Sequence, residues 1–240
     1  DNILCGYKRL QVFTFFFYLQ NMDLRLKNDV VFQVVGPSGS GKTIFVTQLL
    51  GNSKQYFTNK INRIYWLMGI VEGEKGKTSE NLKKLENLKI LNGFEKGWLT
   101  KPQLGDAIVI DDLFAESAYE KNFNDLFTKI ARHRGVTVIF ITQNMFHQGG
   151  QHRTRNLNVQ YLVIFKNPRD CTVINFIARQ AFPTNPHYLV NAFKDATVDK
   201  PHGYLFLDFT QDCPDDVRVR TNIFDPNGMI VYKQNIDMCD

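Results

Sequence analysis

The chain alternates short apolar runs with amphipathic or polar stretches over most of its length. Runs this apolar are typical of strands buried on both faces of a parallel sheet, and they predict strands at residues 30–35, 61–68, 107–111, 136–142, 161–165 and 203–209. Weaker patterns predict an edge strand at 88–91 and helices at 44–51, 119–134, 173–181 and 188–193. The alternation of strand and helix predicts an α/β fold with a mostly parallel central sheet.

The turn between the first predicted strand and the first predicted helix carries the most specific motif. Its spacing of Gly, Gly, Lys and Thr is that of a phosphate-binding loop, in the strand, loop and helix context that such a loop requires. Glycines let the backbone curl around phosphate oxygens, Lys42 can reach the β- and γ-phosphates, and the Thr43 hydroxyl can ligate Mg²⁺. The alternative is an ordinary Gly-rich turn. The predicted nucleotide-binding residues are Gly36, Pro37, Ser38, Gly39, Ser40, Gly41, Lys42 and Thr43.

Two other strand ends carry groups suited to a γ-phosphate. The strand at 107–111 runs into Asp111 and Asp112, which we predict to be the Mg²⁺-side acid and the general base or water-orienting group. An acidic helix N-terminus, where the dipole favours Asp, is the alternative. The strand at 136–142 runs into Gln143, a candidate sensor whose amide can bond both the attacking water and the γ-phosphate. The alternative there is a polar residue that simply ends a strand.

These motifs together resemble the viral genome-packaging ATPases of the FtsK/HerA superfamily. The chain is most similar to those of Maverick/Polinton elements and adintoviruses, with adenovirus-like and poxvirus packaging ATPases further off. The resemblance extends from about Met22 to about Phe224, and it is carried by residues 36–43, 108–112, 133–144, 153–158 and 165–170. It implies an ASCE-type P-loop NTPase fold, a three-layer sandwich with an additional strand between the P-loop and Walker B strands. It also implies a homo-oligomeric ring, with ATP and Mg²⁺ as cofactors, that moves double-stranded DNA into a preformed capsid.

The chain departs from the superfamily pattern at the second acid. Many members carry Glu after the Mg²⁺-binding Asp, whereas this chain has Asp112, whose carboxylate is set back by about 1.5 Å. Glu116, one helical turn further on, is the reserve candidate for the base. An exposed Glu in the first turn of a helix is the alternative interpretation of that residue.

Arginines supply further candidates within this resemblance. The predicted helix at 119–134 ends with Arg132 and Arg134, and in a ring an Arg at such a boundary can reach a neighbour's ATP, although cations also complement a helix C-terminus. Competitors for this trans finger are Arg153, Arg155, Arg169 and Arg179. The Gly-rich basic loop at 146–155 is the first candidate for DNA contact, through Arg153 and Arg155, with a solvated connector as the alternative.

The tail of the chain contains one more basic pattern. Residues 217–220 alternate Val and Arg, which predicts a strand with Arg218 and Arg220 on one exposed basic face. That face could contact DNA or a neighbouring subunit. The alternative is an exposed edge strand that its charges protect from mispairing.

Length and composition fit one domain. A chain of 240 residues, 43% of them hydrophobic, can bury a single α/β core. We expect residues 22–240 to form one P-loop ATPase domain with a C-terminal, strand-containing extension. Residues 1–21 are expected to be a fragment of a preceding region, an extra element or part of the core. The net charge of +5 agrees with an anionic partner but does not identify one.

The cysteines and the apolar N-terminal run bear on location. Widely spaced cysteines indicate neither a zinc site nor a disulfide framework, and we interpret them as reduced thiols. They are Cys5, Cys171, Cys213 and Cys239. The apolar run at 12–19 is shorter than the roughly 20 residues that span a bilayer, and no small-residue cleavage site follows it. We therefore expect an intracellular protein without a membrane partner, acting where virions are assembled.

The predicted activity is Mg²⁺-dependent ATP hydrolysis coupled to DNA translocation, with a capsid or portal protein as a further partner. Two alternatives stay open at this point. One is another P-loop DNA-dependent ATPase, of a helicase-like or plasmid-transfer type. The other is a nucleotide switch that does not hydrolyse, or a decayed relic of a mobile element.

Overall fold

A computed structural model describes residues 22–69, 77–94, 97, 100–113, 131–145 and 158–234. Within these residues nine strands form one sheet, in the spatial order β3-β2-β4-β5-β1-β6-β7-β8-β9. In chain order the strands are β1 (Val31–Val35), β2 (Ile64–Met68), β3 (Leu88–Asn92), β4 (Ala107–Asp111), β5 (Thr137–Thr142), β6 (Tyr161–Phe165), β7 (Tyr204–Asp208), β8 (Val219–Thr221) and β9 (Ile230–Tyr232).

The described helices connect these strands. They are α1 (Lys42–Gly51), α2 (Ser53–Tyr56), α3 (Lys77–Leu82), α4 (Ala131–Arg134), α5 (Thr172–Ala181) and α6 (Pro186–Thr197), with a 3₁₀ turn at Asp215–Val217. Helix α6 starts with proline, whose fixed φ suits a first helical position, and the Asn185 side chain accepts from the Tyr188 N–H to cap it. None of the helices in the described ranges is long and apolar enough to cross a bilayer.

The six strands from β1 to β6 pair only in parallel with one another. Strand β5 lies between β1, which leads into the Gly-rich loop, and β4, which ends in the acids. The mostly parallel sheet is therefore confirmed, and so is the additional strand between these two. The edge strand expected near residue 88 is also present, as β3.

Two apolar cores lie on opposite faces of the sheet and make the fold a three-layer sandwich. Alternate residues of β1 show the division, since Phe32 packs in one core and Val31 in the other. Helix α1 covers the first face through Phe45 and Leu49. Helices α5 and α6 cover the second, where Leu189 is fully buried. Burial on both faces is the reason that these strands appear as unbroken apolar runs.

The last three strands continue the sheet in antiparallel pairing, and they correct one prediction. Strand β8 begins only at Val219, and Arg220 is 3% exposed, with its guanidinium 3.0 Å from the Asp208 carboxylate. Arg218 donates instead to main-chain carbonyls of the preceding loop. The predicted exposed basic face is therefore wrong. Alternation of Val and Arg cannot distinguish a solvated Arg from one that pairs with a buried acid.

Several predictions concern residues outside the described ranges. These are the N-terminal segment 1–21, residues 119–130 of the predicted helix, Glu116, and the basic loop with Arg153 and Arg155. Their predicted roles stay predictions.

Candidate nucleotide site

The carboxyl ends of β1, β4 and β5 meet at one edge of the sheet, because these strands are parallel neighbours. The loop after β1 is joined to β5 by a hydrogen bond of 3.2 Å from the Gly36 N–H to the Thr142 carbonyl. The chain after β4 is joined to β5 by one of 3.1 Å from the Asp112 N–H to the Ile141 carbonyl. The structure therefore brings the loop, both acids and Gln143 to a single edge.

The backbone of the loop has the form of an anion cradle. Helix α1 begins at Lys42, and the N–H groups of a helix's first turn have no acceptor within the helix. Gly41, just before it, has a φ of 104°, in the left-handed region that favours glycine. At Gly36 a side chain would not fit, because a Cβ there would lie 2.6 Å from the Phe165 Cβ. A side chain at either position would therefore strain or displace the backbone of the loop.

Lys42 occupies the inside of this loop. Its side chain is 9% exposed, and its ammonium donates to the carbonyls of Gly36 at 2.7 Å and Pro37 at 2.9 Å. Burial lowers the pKa of Lys42, while the nearby charges of Asp112 and Asp111 act to raise it. The ammonium is thus held within the field of the two acids, where it can exchange a carbonyl for a phosphate oxygen.

Asp111 forms the acidic side of the site. Burial raises its pKa from 3.8 to about 6, and the neighbouring charge of Asp112 adds to the rise. Hydrogen bonds from the Trp66 indole, at 3.2 Å, and from the Thr43 side chain favour the charged form instead. Asp111 and Thr43 therefore lie near enough to interact, and their hard oxygen atoms are the type of ligand that Mg²⁺ prefers.

A cation at this point would need further ligands. The described part of the chain contains no group of three or more His, Cys, Asp or Glu that could hold a metal ion. Mg²⁺ commonly binds through one or two protein groups, with waters and substrate phosphates completing its octahedron. The pair of Thr43 and Asp111, beside a phosphate cradle, fits that mode of binding.

Asp112 and Gln143 form a second polar pair. The Gln143 side-chain N–H donates to the Asp112 carboxylate at 2.6 Å, and both side chains are exposed. Asp112 has a φ of 54°, which Asp tolerates better than most residues. This conformation ends β4 and turns the carboxylate toward the end of β5. The pair can together orient a water molecule beside the cradle.

The candidate trans arginines lie elsewhere. Arg132 and Arg134 are exposed and precede β5, whereas Gln143 follows it. A strand of six residues separates its two ends by roughly 16 Å, so these arginines lie at the edge opposite their own loop. Of the competitors, Arg169 is exposed in the turn after β6, at the loop's edge, and Arg179 is exposed on α5.

Two residues of the site were missed by sequence reasoning. Trp66, on β2, is fully buried and reaches Asp111 across the strand pair β2 and β4. His202 precedes β7, and its Nδ1 lies 3.1 Å from the main-chain oxygen of Ser40 in the loop. Because β7 runs antiparallel to β6, its first residues return to the loop's edge. No local sequence pattern signals either contact, since both depend on which strands pair.

The raised pKa of Asp111 predicts a pH dependence of stability. A carboxyl whose pKa is raised in the folded state binds its proton more tightly there than in the unfolded state. The resulting stabilisation is fully present below the unfolded pKa, near 4, and is lost as the pH rises through about 6. Asp111→Asn removes this carboxyl. In nucleotide-free protein, the free energy of unfolding of the variant minus that of the parent should therefore be larger at pH 7 than at pH 4, by roughly 2–3 kcal/mol. Urea unfolding at both pH values measures this. A difference that does not change with pH would contradict the buried, ionised carboxylate.

Comparison with solved structures identifies the fold. The DNA-packaging ATPase of Sulfolobus turreted icosahedral virus matches with a TM-score of 0.53 and 12% identity, over 87% of this chain and 99% of that chain. The genome packaging NTPase of Sulfolobus turreted icosahedral virus 2, solved in complex with sulfate, matches with a TM-score of 0.50 and 13% identity, over 89% and 98%. No protein-family model matches the sequence. A search of curated proteins finds no match either.

At this level of identity the similarity establishes the fold and nothing finer. The protein has the three-layer α/β sandwich of the P-loop NTPases, with a mostly parallel central sheet. The predicted fold class is therefore confirmed.

Proposed function

We propose that this protein is a Mg²⁺-dependent ATPase that moves double-stranded DNA, most specifically a genome-packaging motor of the Maverick/Polinton and adintovirus type. One observation carries the proposal: the loop with Lys42, the neighbouring residues Thr43 and Asp111, and the pair of Asp112 and Gln143 lie at one edge of the sheet. Each group corresponds to one requirement of phosphoryl transfer to water.

Binding of the triphosphate is assigned to residues 36–43. The N–H groups at the start of α1 would bond the phosphate oxygens, and the Lys42 ammonium would leave its two carbonyl acceptors for the β- and γ-phosphates. Thr43 and Asp111 would hold Mg²⁺, which when bound neutralises charge on the phosphates. Asp111 must lose its proton to act as a ligand, and the donors on Trp66 and Thr43 stabilise that charged form.

The hydrolytic role is assigned to Asp112 and Gln143. The Asp112 carboxylate would accept a proton from the attacking water, and the Gln143 amide would hold that carboxylate in place. A bound γ-phosphate would offer the same amide a second acceptor. Gln143 could therefore exchange Asp112 for phosphate, which would link the state of the nucleotide to the end of β5.

The remaining assignments concern the assembly. Arg132 and Arg134 lie opposite their own loop, so a finger role for either requires a neighbouring copy in a homo-oligomeric ring. Arg153 and Arg155 are assigned to the DNA backbone, and a capsid or portal protein is the further partner. We assign residues 22–240 to one ATPase domain and place its action inside the host cell. The fold similarity to two viral packaging proteins supports genome packaging over other functions of P-loop proteins.

The test is an ATPase assay with and without linear duplex DNA, on the parent protein and on Lys42→Ala. The proposal expects Mg²⁺-dependent turnover that DNA increases and that Lys42→Ala lacks. Turnover that DNA leaves unchanged would contradict DNA translocation. ATP binding without any turnover would favour a nucleotide switch, and it would contradict the proposed enzyme.

A second arm separates packaging from other DNA-dependent activities. In the presence of DNA, turnover of a packaging motor should rise further when the cognate capsid or portal protein is added. Full activity on DNA alone, with no further response to that partner, would favour a helicase-like or plasmid-transfer ATPase. The basic loop is tested in the same assay, because Arg153→Ala with Arg155→Ala should reduce DNA stimulation and its dependence on salt.

A further inference from the structure

The His202 side chain connects the antiparallel part of the sheet to the Gly-rich loop by a hydrogen bond. Its Nδ1 lies 3.1 Å from the main-chain oxygen of Ser40. A carbonyl oxygen carries no proton, so Nδ1 must be the donor, and this partner assigns the proton to Nδ1. The imidazole also lies against Gly41, because a Cβ there would be 3.6 Å from the same nitrogen.

The contact fixes the direction of one loop peptide. The Ser40 carbonyl and the Gly41 N–H belong to the same planar trans peptide unit, in which the two groups point in opposite directions. When His202 holds the carbonyl, the Gly41 N–H is directed away from His202. The φ of 104° at Gly41 then leads directly into Lys42 and the first turn of α1. Directed in this way, the Gly41 N–H would add one donor to those of the helix start.

The position of His202 is itself fixed by tight packing. The next residue, Gly203, leaves no room for a side chain, since a Cβ would lie 2.7 Å from the Ala196 carbonyl oxygen. Its carbonyl accepts from the Lys166 N–H at 3.2 Å, just after β6. The turn before β7 is therefore attached both to α6 and to the end of β6. His202 is presented to the loop by a rigid support, although its own ring is partly solvated.

We propose that His202 is a positioning residue for phosphate binding, which turns the Gly41 N–H toward the ligand by holding the Ser40 carbonyl. This inference rests on the proposed function, because it assumes that the loop binds the phosphates of a nucleotide. The inference adds to the nucleotide site a residue that belongs neither to the Gly-rich loop nor to β4 or β5. It also connects the nucleotide site with the segment between α6 and β7, so movement of that segment would change affinity for phosphate.

Two substitutions separate the hydrogen bond from the bulk of the ring. His202→Phe keeps a ring over Gly41 but has no donor, whereas His202→Asn keeps a nitrogen donor on Cγ, where Nδ1 is attached. We expect His202→Phe to weaken binding of a fluorescent ADP analogue about threefold to tenfold, the range for loss of one neutral hydrogen bond. His202→Asn should stay within about twofold of the parent. His187→Phe, at an exposed histidine of α6, is the matched control and should bind as the parent does.

Inorganic pyrophosphate identifies which part of the nucleotide is affected. Because the Gly41 N–H would contact phosphate alone, competition by pyrophosphate should weaken in His202→Phe by the same factor as binding of the ADP analogue. A loss confined to the ADP analogue would place His202 at the base or ribose and would overturn the inference. Equal affinity of the parent, His202→Phe and His202→Asn would overturn it as well. If the parent itself bound no nucleotide, the proposed function would fail, and the inference with it.

Thermal unfolding distinguishes positioning from a structural role. All four proteins should unfold within a few degrees of one another, since His202 is exposed on one side and the bond is worth little to the fold. A large fall in the unfolding temperature of His202→Phe, with His202→Asn falling equally, would indicate a structural contact and contradict the inference.

Discussion

Replacing Asp112 by Asn is expected to abolish ATP hydrolysis while leaving ATP binding close to that of the parent. The substitution keeps an oxygen that can accept from Gln143 but removes the group that can take a proton from water. General-base catalysis contributes about 10²- to 10⁴-fold, so turnover should fall by at least about 10²-fold. Affinity should change little, because Lys42 and the helix start provide the phosphate contacts. Single-turnover hydrolysis and equilibrium binding measure the two quantities separately.

Asp29→Asn is the matched control for this prediction. Asp29 is also an exposed Asp with a left-handed backbone, at a φ of 61°, but it precedes β1 and lies at the opposite edge of the sheet. Its substitution should leave hydrolysis unchanged. Near-normal turnover in Asp112→Asn would show that another residue prepares the water, and Glu116→Gln would then be the next variant to measure.

Replacing Lys42 by Ala is expected to weaken binding of Mg·ATP by about 10²-fold or more. Each hydrogen bond to a charged group contributes about 1.5–3 kcal/mol, and the Lys42 ammonium can reach two phosphates. Its loss also leaves Asp111 and Asp112 without the cation whose charge acts on them, so their repulsion of the phosphates grows. Displacement of a fluorescent nucleotide measures the affinity.

Lys54→Ala provides the control for charge alone, since Lys54 is exposed on α2 and its loss changes the net charge equally. That variant should bind ATP as the parent does. Equal affinity of Lys42→Ala and the parent would contradict the assignment of the loop. The Lys42 variant should remain folded, because the hydrogen bonds of the lysine ammonium in the parent are to two carbonyls of the loop, those of Gly36 and Pro37. Circular dichroism can verify this.

The parts of the fold that the sequence predicts are those with a local cause. Strands β1, β4, β5 and β6 are buried on both faces, so their apolar runs are unbroken and easy to recognise. The loop at 36–43 needs glycines and a following helix, and both are visible in sequence. The acids and Gln143 directly follow strands, so parallel pairing alone brings them together.

The parts that the sequence does not predict depend on pairing between distant segments. In the sequence, Trp66 is one more apolar residue of a predicted strand. Its polar contact with Asp111 requires β2 to lie beside β4. His202 reaches the loop only because β7 turns back against β6. Arg220 is buried because Asp208, twelve residues earlier, supplies a charge in the same interior. Sequence periodicity predicts which face of the sheet a residue occupies, but it does not predict which residue from a distant segment contacts it there.

In the proposed function, residues 36–43 and the acids after β4 form one site for a triphosphate and Mg²⁺. The decisive experiment is isothermal titration of the purified protein with a non-hydrolysable ATP analogue, once with Mg²⁺ and once with a chelator. We expect saturable binding of one nucleotide per chain, tighter with Mg²⁺ than without it. Absence of measurable affinity for the analogue under both conditions would rule out this site.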